Sequence, residues 1–367
     1  MHRIVNLLAI LCVMATTVTA ADAKPPVKIA IVGLSHDHAF GFIPQVLGHK
    51  EVELVGVVEA DPELVAIYSK RFKLDAALFH PGLDELFASK QVQAVAVFTS
   101  TFEHRAVVER CADRKVDVMM EKPLAVNMEH ARAIEAAAMR SNIQILVNYE
   151  TSWYPSNHAA WQIVRERGEI GDIRRIVVND GHRGPSEIGC SKHFLAWLTD
   201  PVKNGGGALN DFGCYGANLA TWLMDGQRPL SVTATTRRIK PEIYPNVEDD
   251  ATIIITYPQA QAVFQASWNW PCNRKDMEIY GRNGYLLVPD SQSLTLRPSE
   301  RDQPKVLKAP PLTGPHADPV SYLAAVVRRE ISPSGLSSLS VNLTVVEILD
   351  AAHESARTGR RVDLPPK

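Results

Sequence analysis

Between residues 27 and 147 the chain alternates short apolar runs with segments of helical periodicity, and this alternation restricts the fold more than any other feature. Residues 27–34 form an apolar run around Gly33, broken by Lys28 near its start, which predicts a strand buried on both faces. Further strands are predicted at 52–58, 92–98, 116–120 and 143–147. Helices are predicted at 39–47, with Pro44 inside it, at 62–72, with Pro62 in its first turn, and at 83–88, 105–114 and 128–140. Strands alternating with helices at this spacing imply a doubly wound α/β domain with a parallel sheet. The second half reads differently. A helix at 157–167, a turn at 168–171 and a strand at 173–179 lead to an apolar helix at 209–224. Strand-like runs then follow at 230–238, 251–257, 260–268, 277–280, 285–288 and 294–297, joined by turns, which predicts an α+β domain with an open-faced, mainly antiparallel sheet. Late helices at 321–330 and 341–357 are candidates to fold back on the first domain. The boundary falls between 148 and 155, giving domains at 24–150 and 151–367.

The first 23 residues stand apart. Met1-His2-Arg3 is short and weakly basic, residues 4–18 are almost wholly apolar, and Val18-Thr19-Ala20 and Ala21-Asp22-Ala23 offer small-residue cleavage sites. This is the pattern of a cleaved secretory signal, with an apolar run shorter than the ~20 residues of a membrane span. No twin arginine precedes it, and Cys12 lacks the small residue of a lipid-anchor site. A periplasmic or extracellular protein is expected, with no membrane span once the signal is removed. With 39 Lys and Arg against 41 Asp and Glu, no strong field points to nucleic acid or anionic lipid. Cys111, Cys190, Cys214 and Cys272 follow no zinc or disulfide spacing, so free thiols are expected.

Val32-Gly33-Leu34-Ser35-His36-Asp37-His38 occupies the place of a phosphate-binding turn, where a helix N-terminus follows a parallel strand. A full dinucleotide fingerprint would set glycines at 33, 35 and 38, and Gly33 alone is present. Ser35 could donate to a phosphate, whereas His38 replaces the glycine that allows close helix–strand packing. His36-x-His38 also raises a metal, but no acidic or cysteine partner is near in sequence, and none is expected. Glu59 ends the second strand about 20 residues past the turn, where a carboxylate binds the ribose of NAD; no arginine follows it, which disfavours NADP.

Glu121-Lys122-Pro123 closes the fourth predicted strand, at the sheet edge where ligands sit. Asp211 and Tyr215 lie four apart, on one face of a helix that follows Gly205-Gly206-Gly207. A lysine, a carboxylate and a phenol are the parts needed to move a proton while a cofactor moves a hydride. An ammonium beside Tyr215 should lower its ~10 pKa toward that of a usable base. His182, Arg183, Lys192 and His193 precede the glycine run and are candidates to line the cleft, while most of the six tryptophans should be core or interface aromatics.

These residues carry a resemblance. The chain is similar to the glucose–fructose oxidoreductase, inositol dehydrogenase and rhizopine-catabolism (Gfo/Idh/MocA) family over about residues 27–365. Glu121-Lys122-Pro123 is its strongest motif. Thr99 and His104 match the family's Thr-Pro-Asn-x-x-His segment, with Ser100 and Thr101 in place of Pro and Asn. The Gly-Gly-Gly-x-x-x-Asp-x-Gly-x-His element stands at 205–215, with Tyr215 for the histidine. The resemblance implies a Rossmann domain, an open-faced sheet often used to form homo-oligomers, and a nicotinamide cofactor. It sets Gly33, Ser35, His36, His38, Glu59, Thr99, His104 and Glu121 on the cofactor side, and Lys122, Asp211 and Tyr215 at the substrate.

The resulting expectation is an exported oxidoreductase that uses NAD to act on a hydroxyl of a sugar, polyol or glycoside. Tyr215, assisted by Lys122, takes the proton and Asp211 orients the substrate. Outside the cytoplasm no large NAD pool exists, so a retained cofactor in a redox-neutral cycle is one form of this expectation. The rivals are a non-catalytic sugar-binding protein with a degenerate cofactor site, and a cytoplasmic dehydrogenase with an apolar extension.

Overall fold

A computed structural model describes residues 24–365; the signal expected at 1–23 lies outside them. The first half forms a six-stranded parallel sheet from β1 (Val27–Val32), β2 (Val52–Val58), β3 (Phe79–His80), β4 (Ala94–Val97), β5 (Asp117–Glu121) and β6 (Ile145–Asn148). Its order is β3-β2-β1-β4-β5-β6, so the chain reverses direction of travel beside β1. That reversal opens a crevice at the strands' C-terminal ends, the place where such sheets bind ligands. The crossover helices are α1 (Ala39–Gly48), α2 (Pro62–Phe72), α3 (Leu83–Ser89), α4 (His104–Asp113) and α5 (Met128–Ser141).

Strand alternation explains the two cores. Ile29 and Ile31 of β1 face Phe42 and Ile43 of α1 and Tyr68 of α2, whereas Ala30 and Val32 face the opposite core with Val107 and Val108 of α4 and Ile134 of α5. Val320, Tyr322 and Leu323 of a late helix, α9 (Pro319–Val327), join the first of these cores. The chain thus returns to the first sheet after building the second.

The second half begins with α6 (Pro155–Trp161), which runs into a π-helical turn (Gln162–Glu166). Next come β7 (Ile173–Gly181), α7 (Lys192–Leu198), α8 (Ala208–Leu223), β8 (Ser231–Arg237), β9 (Asp250–Thr256), β10 (Gln261–Ser267), β11 (Arg274–Gly281), β12 (Tyr285–Val288), β13 (Ser293–Arg297), β14 (Lys305–Lys308), α10 (Leu339–Thr358) and β15 (Val362–Asp363). The nine strands pair in the order β14-β13-β12-β11-β7-β10-β9-β8-β15, all antiparallel except β7 with β10. Helices α8 and α10 pack on one face. The other carries a half-buried row made by Glu278, Val177, Val263, Ile254 and Thr233 on adjacent strands. The four cysteines Cys111, Cys190, Cys214 and Cys272 are free thiols.

Candidate active site

Two cavities meet the crevice. The first, of about 610 Å³, is lined by Gly33, Ser35, Glu59, Asp61, Thr99 and His193. Gly33 has φ of +80°, and a Cβ there would stand 2.5 Å from the Thr99 methyl, so the turn needs glycine both for its conformation and for the approach of the next strand's end. Glu59 accepts hydrogen bonds from the backbone N–H groups of Leu34 and Asp61, at 2.8 and 2.9 Å. Its carboxylate is thereby fixed at the rim of the cavity. Asp84, Glu85 and Arg110 also line it, with Asp84 paired to Arg110, and the Glu59 carboxylate is placed to accept from a ribose diol.

The second cavity, of about 430 Å³, is lined by Lys122, Asp211, Tyr215, His38, His182 and Lys275 among others. Lys122 leaves the end of β5 and is buried. Its ammonium donates to the backbone carbonyl and the carboxylate Oδ1 of Asp211, and Trp268 Nε1 donates to Asp211 Oδ2 at 2.9 Å. Asp211 lies in the first turn of α8, where the helix dipole also favours a carboxylate. Gly207 permits this placement: a Cβ there would sit 1.9 Å from the Glu248 carbonyl oxygen. Burial alone would raise the Asp211 carboxyl, but the charge and hydrogen bond of Lys122 hold it below its ordinary value. Burial would likewise lower the Lys122 ammonium, and Asp211 reverses that. Both groups stay charged at neutral pH.

Tyr215 corrects one expectation. Its phenol is not lowered. Burial first, then the carboxylates of Glu150 and Asp180, push it well above the ordinary value. Lys122 Nζ lies over the face of the ring, 5.2 Å from its centre, and its charge is matched by Asp211. Lys275 Nζ covers the ring at 4.7 Å and is itself paired with Glu150. The shift is therefore opposite in direction to the one expected from a neighbouring ammonium.

Two further expectations change. His36 is buried beneath Phe194 and Trp197 of α7, with ring centres 4.6 and 5.3 Å away, so it packs the turn and does not face the cofactor cavity. His104 is buried too; its Nδ1 lies 3.2 Å from the Leu124 carbonyl oxygen, tying α4 to the turn beyond Pro123. Burial depresses it to about 4, so it is neutral. Glu121 is also enclosed: His38 Nδ1 lies 3.0 Å from Oε2, and Asn148 Nδ2 donates to Oε1 at 2.9 Å. The acidic partner that His36 and His38 lack in sequence is thus supplied in space, 83 residues on.

His36, His38 and Glu121 come close enough to hold a metal ion, with ligand atoms within 4.8 Å of one another. The hydrogen bonding opposes that reading. His36 Nδ1 accepts the His38 backbone N–H at 3.2 Å, so the ring's proton sits on Nε2, the nitrogen that a metal would need.

His182 lines the second cavity as expected, whereas Glu150, Lys275 and Asp180 were missed by sequence reasoning. Glu150, His182 and Lys275 reach the substrate cavity from three separate segments, and Asp180 lies behind them on β7. Asp180 is buried with neither carboxylate oxygen hydrogen-bonded, and burial pushes it well above its ordinary value. Lys192 and His193 belong instead to the cofactor side, near Glu63 at 2.7 and 3.6 Å. A further hollow of about 650 Å³, flanked by stacked Trp161 and Trp222, lies at the far end of α8 and contains none of these candidates.

Residues 27–149 match the family model described as an oxidoreductase family with an NAD-binding Rossmann fold, and residues 158–287 match the GFO/IDH/MocA C-terminal domain. The chain belongs to the Gfo/Idh/MocA oxidoreductase family. Its relatives include a trans-1,2-dihydrobenzene-1,2-diol dehydrogenase of Xenopus laevis, 24% identical across 82% of this chain and 89% of that one. The inositol 2-dehydrogenase of Rhizobium meliloti is 22% identical across 87% and 94%. Among solved structures, the aldose-aldose oxidoreductase of Caulobacter crescentus superposes with a TM-score of 0.79 at 23% identity, covering 92% of this chain and 100% of that one. An inositol dehydrogenase homologue of Azotobacter vinelandii, solved with NAD+, gives 0.79 at 19% identity, covering 92% and 97%. These likenesses establish the fold.

This chain's residues fit NAD at both ends. Gly33 and Glu59 line the first cavity, at the turn and strand end where such folds take a dinucleotide, and Lys122 lines the second. Between them lies α7. Trp197 Nε1 donates to the Ser35 carbonyl oxygen at 3.3 Å, the Ser191 N–H donates to Asp37 at 2.8 Å, and His193 and Phe194 line opposite cavities.

Proposed function

We propose that this protein oxidises and reduces a secondary hydroxyl of a sugar, polyol or glycoside with NAD. The observation that carries the reading is the buried Lys122–Asp211 pair beside Tyr215, lining a cavity at the C-terminal edge of the parallel sheet. Two fixed donors, the Lys122 ammonium and the Tyr215 phenol, can hold the reacting oxygen and stabilise it as negative charge develops. Nicotinamide, when bound, supplies the hydride chemistry. Glu150, His182 and Lys275 offer further polar contacts for the remaining hydroxyls.

Export and cofactor retention are part of the proposal. The apolar run at 4–18 supports export, and the seat of α7 across the groove supports a cofactor exchanged slowly and used in a redox-neutral cycle between two sugars. The same seat favours the second reading, a sugar-binding protein that has lost the dinucleotide. Mass spectrometry of small molecules released on denaturing the purified protein decides between them. NAD or NADH near one per chain supports the enzyme. Protein that is empty, binds no added NAD and turns over no sugar overturns it. N-terminal sequencing of the native protein tests export: a start near residue 21 or 24 is expected, and a start at Met1 overturns it.

A further inference from the structure

The hollow at the far end of α8 is bordered by six aromatic rings in unbroken contact. Trp153 meets Tyr322 edge-on, with ring centres 5.6 Å apart, and Tyr322 meets His316 at 5.3 Å. His316 meets His158 at 6.3 Å, His158 meets Trp222 at 5.6 Å, and Trp222 stacks on Trp161. The two indole planes are 12° apart with centres at 5.9 Å, so they are offset and make a broad apolar step. Trp161 and Trp222 are half-buried, and His316 is exposed. Aromatics that merely pack a joint close on one another. These border about 650 Å³ of open space, within the ~300–1,000 Å³ of small-ligand sites.

A second wall is polar and already fixed. It is formed by the segment between α9 and α10. Asn342 Nδ2 donates to the carbonyl oxygens of Leu336 and Ser338 at 2.9 and 2.8 Å, and Asn218 Nδ2 donates to that of Leu336 at 2.8 Å. Both amides are fully buried. The Ser334 N–H donates to the Tyr322 hydroxyl at 3.0 Å. Ser334, Ser337, Ser338 and Ser340 therefore line the hollow from a segment that needs little ordering to bind. Ser152 lines it too. It is 4% exposed, and its hydroxyl, which turns about one bond, has no hydrogen-bond partner.

We propose that this hollow is a second saccharide site, which takes a neutral sugar ring with one apolar face on Trp161 and Trp222 and its hydroxyls on the serine-bearing segment. Charge decides the class of ligand. Among the described residues no Lys or Arg lines the hollow, whereas Glu166 and Asp225 do, the latter paired with Arg165 at 3.1 Å. The C-terminal end of α8, negative by its dipole, opens there as well. Phosphates, nucleotides and uronates are thus repelled. A quaternary ammonium would suit the rings and Glu166, but it carries no hydrogen-bonding group and would leave the serine hydroxyls unpaired. A sugar ring, apolar on a face and hydroxylated at its edge, satisfies both walls. Trp222 stands about 16 Å along the helix axis from Asp211, so the site is separate from the cavity of Lys122 and Tyr215. It would hold a saccharide without consuming it, and it stands whether or not that cavity performs redox chemistry.

The test uses the whole protein, with nitrogen-15 NMR of the indole N–H groups during titration with maltose, cellobiose and lactose. Trp268, hydrogen-bonded to Asp211, reports the reacting cavity in the same spectrum. The Trp161 and Trp222 signals should shift and saturate with at least one of the three sugars. Kd should rise tenfold or more in Trp222→Ala and in Ser334→Tyr. The second substitution fills the hollow from an exposed position and guards against a variant that fails to fold. Ser334→Tyr should leave any turnover of sugar with NAD unchanged. Shifts confined to Trp268, or shifts at Trp161 and Trp222 that stay linear in sugar, overturn the proposal and leave the dehydrogenase reading intact. Saturable binding of tetramethylammonium with none of the sugars would make the rings a cation cage and overturn it as well.

Discussion

At the scale of single residues, the site is organised by which charges find partners. Lys122 and Asp211 are buried together, and removing one leaves the other uncompensated. Lys122→Met should therefore destabilise the protein by about 3–5 kcal/mol in urea unfolding, and should lower kcat/KM by about 10²–10³-fold or more. A loss of activity with no loss of stability would show the pair to be solvated. Asp180 is the opposite case, a buried carboxyl with no hydrogen-bond partner. Its folded pKa is raised, so between its unfolded and folded values the unfolded chain holds fewer protons, and stability falls as pH rises, by at most about 1.4 kcal/mol per unit from this group. Asp180→Asn should thus raise Tm at pH 7–8, with the gain shrinking toward pH 4. A gain that grows on acidification would contradict this account. Lys122, Asp211 and Tyr215 were legible because each belongs to a short local motif. The His38–Glu121 contact was not, because nothing local records a hydrogen bond that spans 83 residues. The direction of the Tyr215 shift was also hidden, since burial and the positions of Glu150 and Asp180 exist only in the folded chain.

At the scale of elements, β2 (Val52–Val58) and α2 (Pro62–Phe72) begin and end where the pattern of apolar residues predicts. Those segments carry their own punctuation: Asp61 accepts from the Glu63 N–H and Pro62 opens the helix. The two-residue strand β3 and the two-residue β15 have no period to read. Helix α7 was missed for a related reason, since seven residues make barely two turns. Its signal was Ser191, which caps it by accepting the Phe194 N–H. The omission matters because α7 lies across the turn at Ser35 and His36. Trp197→Ala should loosen that seat and speed NAD association several-fold in stopped-flow fluorescence, with substrate KM little changed. An unaltered association rate would mean that α7 does not stand in the way. Gly33→Ala acts on the same turn and should weaken NAD binding while lowering Tm, because a Cβ meets Thr99 at 2.5 Å.

At the scale of the whole molecule, the long-range arrangement follows from one sheet closed on both faces and another covered on one. The row of Val177, Val263 and Ile254, flanked by Glu278 and Thr233, runs half-buried across five adjacent strands of the second sheet, with its apolar side chains on the middle three. A homo-oligomer would bury it. Ile254→Asp should then shift the particle to a smaller mass in light scattering without unfolding it; a wild-type monomer would remove the proposed role of this face. The return of α9 to the first sheet makes the two halves cross-braced, so they should unfold in a single cooperative transition. Such bracing sets the stage for the kinetics. With α7 shut over the groove, a bound dinucleotide would be insulated from the medium, and free NAD would drop out of the rate law. Successive sugars would then meet alternately oxidised and reduced forms of one protein, and double-reciprocal plots for the two sugars would run as parallel lines.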